Sequence, residues 1–320
     1  MKRWQKNLTI IVFLLAMTMG LSAAVQAAVT IRPKQTAATP NSITISNYAV
    51  SGARFYRIYF DKKAAGDLST NSPNITTPLT SYTFSGLAAD TIYHYYIEAF
   101  DANSTVIGSM NNVTYPATVT PGSVTNCDAD YWNGSNSGHF KIASNQYPNT
   151  MDGIDWEIWD RTGKKKVASG RSLSSVFTVK VSRKQIYILK VRGYVNLSVS
   201  YATGDQGRFY GPWYSKVIVP SPILKKPTQA NNYSAVKVRW TKVNGATKYI
   251  VYGSTSPGSG YKKIASVSKK KSSYVVKKFR GKSFKFYKTY YFKVVAVKGN
   301  AKSADAEYGS IYFLRKYVRY

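Results

Sequence analysis

Apolar and polar residues alternate with a period of two along most of the chain. Val236, Val238 and Trp240 are separated by Lys237 and Arg239. Tyr290, Phe292, Val294 and Ala296 are likewise interleaved with Tyr291, Lys293 and Val295. Successive side chains of a strand point to opposite faces, so each run presents one apolar and one more polar face. Gly, Pro, Asn and Ser punctuate the runs, and helical spacing is nearly absent. The pattern predicts an all-β, antiparallel protein.

The runs recur in a fixed order. Ala53-Arg54-Phe55-Tyr56-Arg57-Ile58-Tyr59 returns as Gly153-Ile154-Asp155-Trp156-Glu157-Ile158-Trp159, and again as Ala246-Thr247-Lys248-Tyr249-Ile250-Val251-Tyr252. Each is followed by an alternating run opening on a tyrosine: Tyr93, Tyr187 or Tyr290. These tyrosines stand 94 and 103 residues apart. A weaker run precedes each copy: Ile43 and Ile45, Phe140 and Ile142, then Val236, Val238 and Trp240. Three elements repeated three times at a period near 100 residues mark a tandem array.

On these residues each copy resembles a fibronectin type III domain. Val236, Val238 and Trp240 resemble the second strand with its core tryptophan. The aromatic-x-aliphatic runs resemble the third strand. Tyr93, Tyr187 and Tyr290 resemble the tyrosine that closes the corner into the sixth, and Leu87 and Thr91 precede Tyr93 at the family's spacing. Asn47 and Ser144 stand where copies one and two should carry the tryptophan. The resemblance implies three tandem immunoglobulin-like β-sandwiches of about 100 residues each. The expected boundaries are 28–120, 121–219 (the divergent copy) and 220–320. Prolines at Pro116–Pro121 and Pro220–Pro222 should stiffen the connections.

The first 27 residues read as a signal peptide. Lys2, Arg3 and Lys6 precede an uncharged stretch from Leu8 to Val25, and Val25 and Ala27 suit a cleavage site after Ala27. A retained anchor is the alternative, since about 18 apolar residues is the lower limit of a spanning helix. No later stretch is apolar enough to span. One cysteine, Cys127, excludes an internal disulfide and a Cys-cluster metal site.

Charge changes the picture most. The chain holds 45 Lys+Arg against 14 Asp+Glu. Residues 28–120 carry 6 basic and 5 acidic residues, net +1; 121–219 carry 13 and 7, net +6; 220–320 carry 23 and 2, net +21. The last copy groups its cations as Lys262-Lys263, Lys269-Lys270-Lys271, Lys277-Lys278 with Arg280 and Lys282, and Arg315-Lys316. A solvated face would mix both signs, whereas a one-signed domain repels itself until counter-charge arrives. Nineteen of the 23 cations are lysine, which suits diffuse attraction over bidentate recognition. The expected partner is a polyanion. Export removes chromosomal nucleic acid and leaves anionic cell-wall polymer, acidic glycan or lipid headgroups.

Tyr59, Trp159 and Tyr252 should project outward from the third strand. In the family the third and sixth strands are neighbours, which brings Tyr96 toward Tyr59 and Tyr291 toward Tyr252. Such rings can stack on sugar or anchor a protein contact. They can also simply stabilise the sheet as cross-strand pairs, worth about 0.2–1 kcal/mol.

Candidate chemistry is sparse. Neither Gly-x-Ser-x-Gly, His-Glu-x-x-His nor a Gly-rich phosphate loop occurs, and the histidines are two, His94 and His139. Asp152, Asp155, Glu157 and Asp160 cluster, but Asp155 and Glu157 share an outward strand face with no cleft implied. Asp128-x-Asp130-x-x-Asn133-Gly134 departs from calcium-loop spacing and reads as a turn. No Arg-Gly-Asp occurs. The sequence thus predicts no metal, no cofactor and no enzyme. It predicts an extracellular binding or spacer protein, with a carbohydrate-binding module or protein–protein adhesin as alternatives.

Overall fold

The computed structural model describes residues 28–62, 75–89, 91–111, 115–142, 151–198, 205–303 and 306–315. The expected signal segment, Ser144 and Lys316 lie outside the described residues. Among the described residues every regular element is a strand, and no helix is long and apolar enough to cross a membrane. Among the described residues six sheets enclose three buried cores.

The first sandwich comprises β1 (Val29–Thr30), β2 (Lys34–Thr39), β3 (Ser42–Ser46), β4 (Phe55–Asp61), β5 (Ile75–Thr77), β6 (Ser81–Ser85), β7 (Ile92–Phe100), β8 (Val106–Ser109) and β9 (Tyr115–Thr118). Its sheets run β2-β3-β6 and β1-β8-β7-β4-β5, with β9 also on β7. The second comprises β10 (Cys127–Asn133), β11 (Ser137–Ile142), β12 (Gly153–Asp160), β13 (Lys166–Ser172), β14 (Val176–Lys180), β15 (Tyr187–Ser198), β16 (Asp205–Tyr210) and β17 (Tyr214–Ile218). These form β10-β11-β14 and β13-β12-β15-β16, with β17 on β15. The third comprises β18 (Leu224–Ala230), β19 (Ala235–Trp240), β20 (Lys248–Ser254), β21 (Lys262–Ser268), β22 (Ser273–Val276), β23 (Lys288–Lys298), β24 (Ala301–Lys302) and β25 (Tyr308–Phe313). The order repeats as β18-β19-β22 and β21-β20-β23-β24, with β25 on β23.

The chain divides into two compact units. One is Met1–Val119 with Leu197–Gly207, and the other is Thr120–Asn196 with Arg208–Tyr320. The second and third sandwiches therefore share a unit. Residues 184–186 of the β14–β15 connection pair with the β19–β20 connection: Asn244 N–H donates to Lys184 O at 2.7 Å and Ile186 N–H to Asn244 O at 3.1 Å. Ile186 and Val219 enter the third core.

The alternation read from the sequence places the cores. Val236, Val238, Trp240, Tyr290, Phe292, Val294 and Ala296 are all buried. Each corner tyrosine bonds to backbone five residues upstream. Ala88 N–H donates to the Tyr93 hydroxyl at 2.8 Å, and Lys285 N–H to that of Tyr290 at 2.8 Å. The Tyr187 hydroxyl donates to Ser182 O at 2.9 Å and accepts from Gln185 at 3.0 Å. Tyr290→Phe should therefore cost about 0.5–1.5 kcal/mol, the worth of one hydrogen bond. Tyr187→Phe should cost more, because two bonds are lost. Equal and negligible shifts in urea midpoint for both variants would remove the corner from the stability of the fold.

Two features depart from the expectation. Asn47, at the tryptophan position of copy one, is exposed and adopts φ 64°, so the next residue, Tyr48, turns into the core. Tyr48 meets Tyr56 edge-on at 5.0 Å, as Trp240 meets Tyr249 at 5.3 Å. Pro116, expected in a linker, lies inside β9 opposite His94. A further device joins the sheets. Gln35 of β2 makes two bonds to the backbone of Thr118, and Gln229 of β18 makes two to that of Leu314. A glutamine amide thus clamps β2 to β9 in the first sandwich and β18 to the residue after β25 in the third.

Candidate polyanion-binding site

All nine cations grouped between Lys262 and Lys282 are exposed. Strand register decides how they group. Lys262 and Lys263 open β21 opposite Gly253 and Tyr252. Chain direction through β22 carries Lys277, Lys278, Arg280 and Lys282 to that same end, because Val276 pairs with Val236 at the start of β19. There Phe279 and Lys282 exchange backbone bonds of 2.7 and 3.1 Å around a turn with Arg280 at φ 52° and Gly281 at φ 80°. The Arg280 guanidinium donates to Gly260 O at 2.5 Å. Lys269, Lys270 and Lys271 instead follow Ser268, which faces Lys248 at the other end of β20. The runs close in sequence thus occupy two poles, separated by the seven-residue length of β21, roughly 20 Å.

Counter-charge is scarce at both poles. Asp305 lies outside the described residues. The other acid of the third sandwich, Glu307, accepts from Arg183 of the second at 2.5 Å. Among the described residues no lysine of the third sandwich makes an ion pair with a carboxylate.

The aromatic candidates fare differently. Tyr59 and Tyr96 are not exposed, with 5% and 1% of their surface accessible. The expectation of an outer stacking pair is corrected there. The two residues pair across β4 and β7 with ring centroids 5.7 Å apart, so each ring shields the other. The Tyr59 hydroxyl donates to Glu98 at 2.8 Å. Burial, followed by this carboxylate, pushes the Tyr59 phenol up to about 12. Both rings belong to the first core cluster. Trp159 is half-buried and held on both sides, with Lys190 at 4.7 Å and Lys166 at 5.5 Å from its centroid. Its indole N–H donates to Glu157 at 2.7 Å. Tyr252 and Tyr291 are half-buried, but register sets Lys293 opposite Tyr252, and Tyr291 meets Tyr308 at 5.5 Å. Lys293 lies 4.5 Å from the Tyr261 ring.

Sequence reasoning missed a ladder on the second sandwich. Arg192 stands 3.8 Å from the Tyr210 centroid and 4.5 Å from that of Trp213, while Arg171 and Arg208 each lie 4.7 Å from Tyr194. Asp155 accepts from Arg171 at 2.8 Å and Arg192 at 3.3 Å. Glu157 pairs with Lys166 at 2.5 Å. Partial burial opposes ionisation of Glu157, but the hydrogen bonds from Lys166 and Trp159 hold its carboxyl below the usual range. The Arg192-x-Tyr194 and Arg208-x-Tyr210 spacings were the available signal. This face is only partly neutralised, by Asp155 and Glu157, whereas among the described residues the third sandwich's lysines have no carboxylate partner.

The acidic motifs resolve without a cluster. Asp128 and Asp130 lie on β10 and not in the expected turn, which begins past them at Gly134, φ 62°. Asp128 pairs with Lys216 at 2.7 Å. Among the described residues no group of His, Cys, Asp and Glu is placed to hold a metal. The Cys127 thiol is buried, which pushes its pKa up to about 12.

With its repeated sheet order and three tyrosine corners, the described chain is an all-β protein of sandwiches similar to fibronectin type III domains. Solved structures similar to it include the FN1–FN3 domains of chicken CNTN1, 14% identical over 90% of this chain and 98% of that one, TM-score 0.25. An Fn3-like protein from Clostridium thermocellum is 21% identical over 28% of this chain and 88% of that one, TM-score 0.25. The central fibronectin-III array of RIM-binding protein is 13% identical over 89% and 97%, TM-score 0.23. No family model and no curated protein matches the sequence.

Proposed function

We propose that the chain is an exported, non-catalytic binding and spacer protein. It comprises a signal peptide (1–27) and three domains (28–120, 121–219 and 220–320), the last attaching to an anionic cell-wall polymer or acidic glycan. The observation that carries this reading is the array of nine exposed cations on the third sandwich, with no carboxylate partner among the described residues. Attachment releases counterions and relieves self-repulsion, so it weakens as salt rises. On double-stranded nucleic acid, used as a reference polyanion, affinity falls with a log–log slope of about −0.9 per neutralised phosphate.

The test is retention of the chain from residue 28 on immobilised anionic wall polymer across a salt gradient. Steep salt dependence is expected, with earlier elution when Lys262, Lys263, Lys277 and Lys278 are all changed to Gln. Tyr252→Ala should leave most retention in place. Retention indifferent to salt would instead favour sugar stacking on the third sandwich, where Tyr308 is half exposed beside Tyr291.

A further inference from the structure

The pole bearing Lys269 is not a convex tip. It opens into a cleft of about 530 Å³ between the second and third sandwiches, inside their shared compact unit. That volume is within the roughly 300–1,000 Å³ of small-molecule sites. Five cations line it: Arg161, Lys184, Lys242, Lys269 and Lys298. They come from five separate places in the fold. Arg161 follows β12, Lys184 lies between β14 and β15, Lys242 follows β19, Lys269 follows β21 and Lys298 ends β23.

No carboxylate lines the cleft. Asp160, the neighbour of Arg161, turns its carboxylate back on its own loop, accepting from Thr162 Oγ1 at 2.9 Å and Lys164 N–H at 3.1 Å. The floor is fixed while the cations are free. Asn244 is bonded to Lys184 and Ile186, and Val243 N–H donates to the Tyr249 hydroxyl at 2.8 Å. Gly245 has φ 91°, a conformation that favours glycine, and a Cβ there would lie 3.1 Å from Arg161 Cδ. The one aromatic ring in the lining, Tyr249, is buried in the core, so the cleft offers no platform for stacking a neutral sugar. Five like charges converging on a concave, fixed floor repel one another until an anion enters.

We propose that this cleft is a discrete subsite seating two or three successive anionic groups of a linear polymer that carries one such group per repeat. The proposal rests on the polymer-binding reading above and gives it a location. Four of the five cations are lysine, which holds a phosphodiester or a carboxylate as a point charge without demanding fork geometry. Both chemistries present a row of negative groups to cations drawn from five places in the fold.

The experiment is calorimetric titration of the chain from residue 28 with two probes: a trimer of glycerol phosphate and a trimer of galacturonic acid. One-to-one saturable binding of at least one is expected, and the tighter probe identifies the source of the anion. Changing Lys242, Lys269 and Lys298 together to Gln should weaken it about tenfold or more, as loss of charge-assisted contacts does. Changing Lys237, Lys285 and Lys288 to Gln, the same loss of charge toward the opposite pole, should shift it less than about twofold by screened attraction alone. Equal weakening by both triple variants would overturn the subsite. So would failure of both trimers to bind while the long polymer is still retained. Failure of the unaltered chain to be retained by the polymer would overturn the wider reading as well.

Discussion

Trp240→Ala should destabilise the third sandwich by about 3–5 kcal/mol, through lost transfer energy plus the cavity left behind. Trp240 ends β19 with 2% of its surface exposed and tilts against Tyr249 at 5.3 Å. Its indole N–H is buried without a hydrogen-bond partner. Truncation therefore removes no hydrogen bond, and the whole cost is packing. Trp240→Phe keeps a ring against Tyr249 and should cost less than half as much. Hydrogen exchange along β19, β20 and β23 under increasing urea would read the effect in this core. An alanine cost under about 1 kcal/mol would mean that the core closes without the ring, contrary to the burial seen.

The same position shows how the fold was legible and where legibility stopped. Alternation exposes a strand's inner face to view because burial of one face is what fixes register. Trp240 could thus be assigned from Val236 and Val238 alone. In the first copy the alternating frame ends on Asn47, which is exposed. A single left-handed residue shifts the frame, and Tyr48 fills the space. Asparagine tolerates that conformation better than most residues, so a turn was a reasonable signal at Asn47. Nothing local indicates that the following tyrosine points inward. The glutamine clamps were invisible for a related reason: Gln35 and Thr118 are 83 residues apart, and only closure of two sheets brings them together.

The site was legible as charge and not as shape. Lys269-Lys270-Lys271 and Lys277-Lys278 are six residues apart at their nearest, yet β22 spans the sandwich between them and sends them to opposite poles. Lys269 instead joins Arg161 and Lys184, more than 80 residues earlier, through the pairing of Asn244 with Lys184. Linear clusters reveal composition, while the strand ladder decides which charges add. Tyr59 and Tyr96 teach the complementary point. Alternation assigns them to the outer face, but both rings are buried in register and belong to the first core cluster, so a residue read as outward is not thereby exposed.

Glu307→Ala should cost about 2–4 kcal/mol, more than truncating its partner into an apolar side chain. Arg183 has only 2% of its side chain exposed, whereas that of Glu307 has 49%. Removing the glutamate leaves a buried guanidinium whose Nε–H still donates to Ser221 O at 2.8 Å but whose charge is unpaired. Removing the arginine leaves a carboxylate that water already reaches. Breaking a buried pair typically costs about 3–5 kcal/mol, and the partial exposure of Glu307 lowers that range. Arg183→Met keeps the volume of the stem and should cost less. The double variant should be more stable than Glu307→Ala alone, because no unpaired charge stays buried. A thermodynamic cycle over the four proteins isolates the coupling. Simple additivity would mean that the guanidinium finds water once Glu307 is gone. The pair has a functional consequence within the proposed reading. It consumes a scarce acid of the third sandwich and ties it to the second, so that acid does not compensate the cleft lysines.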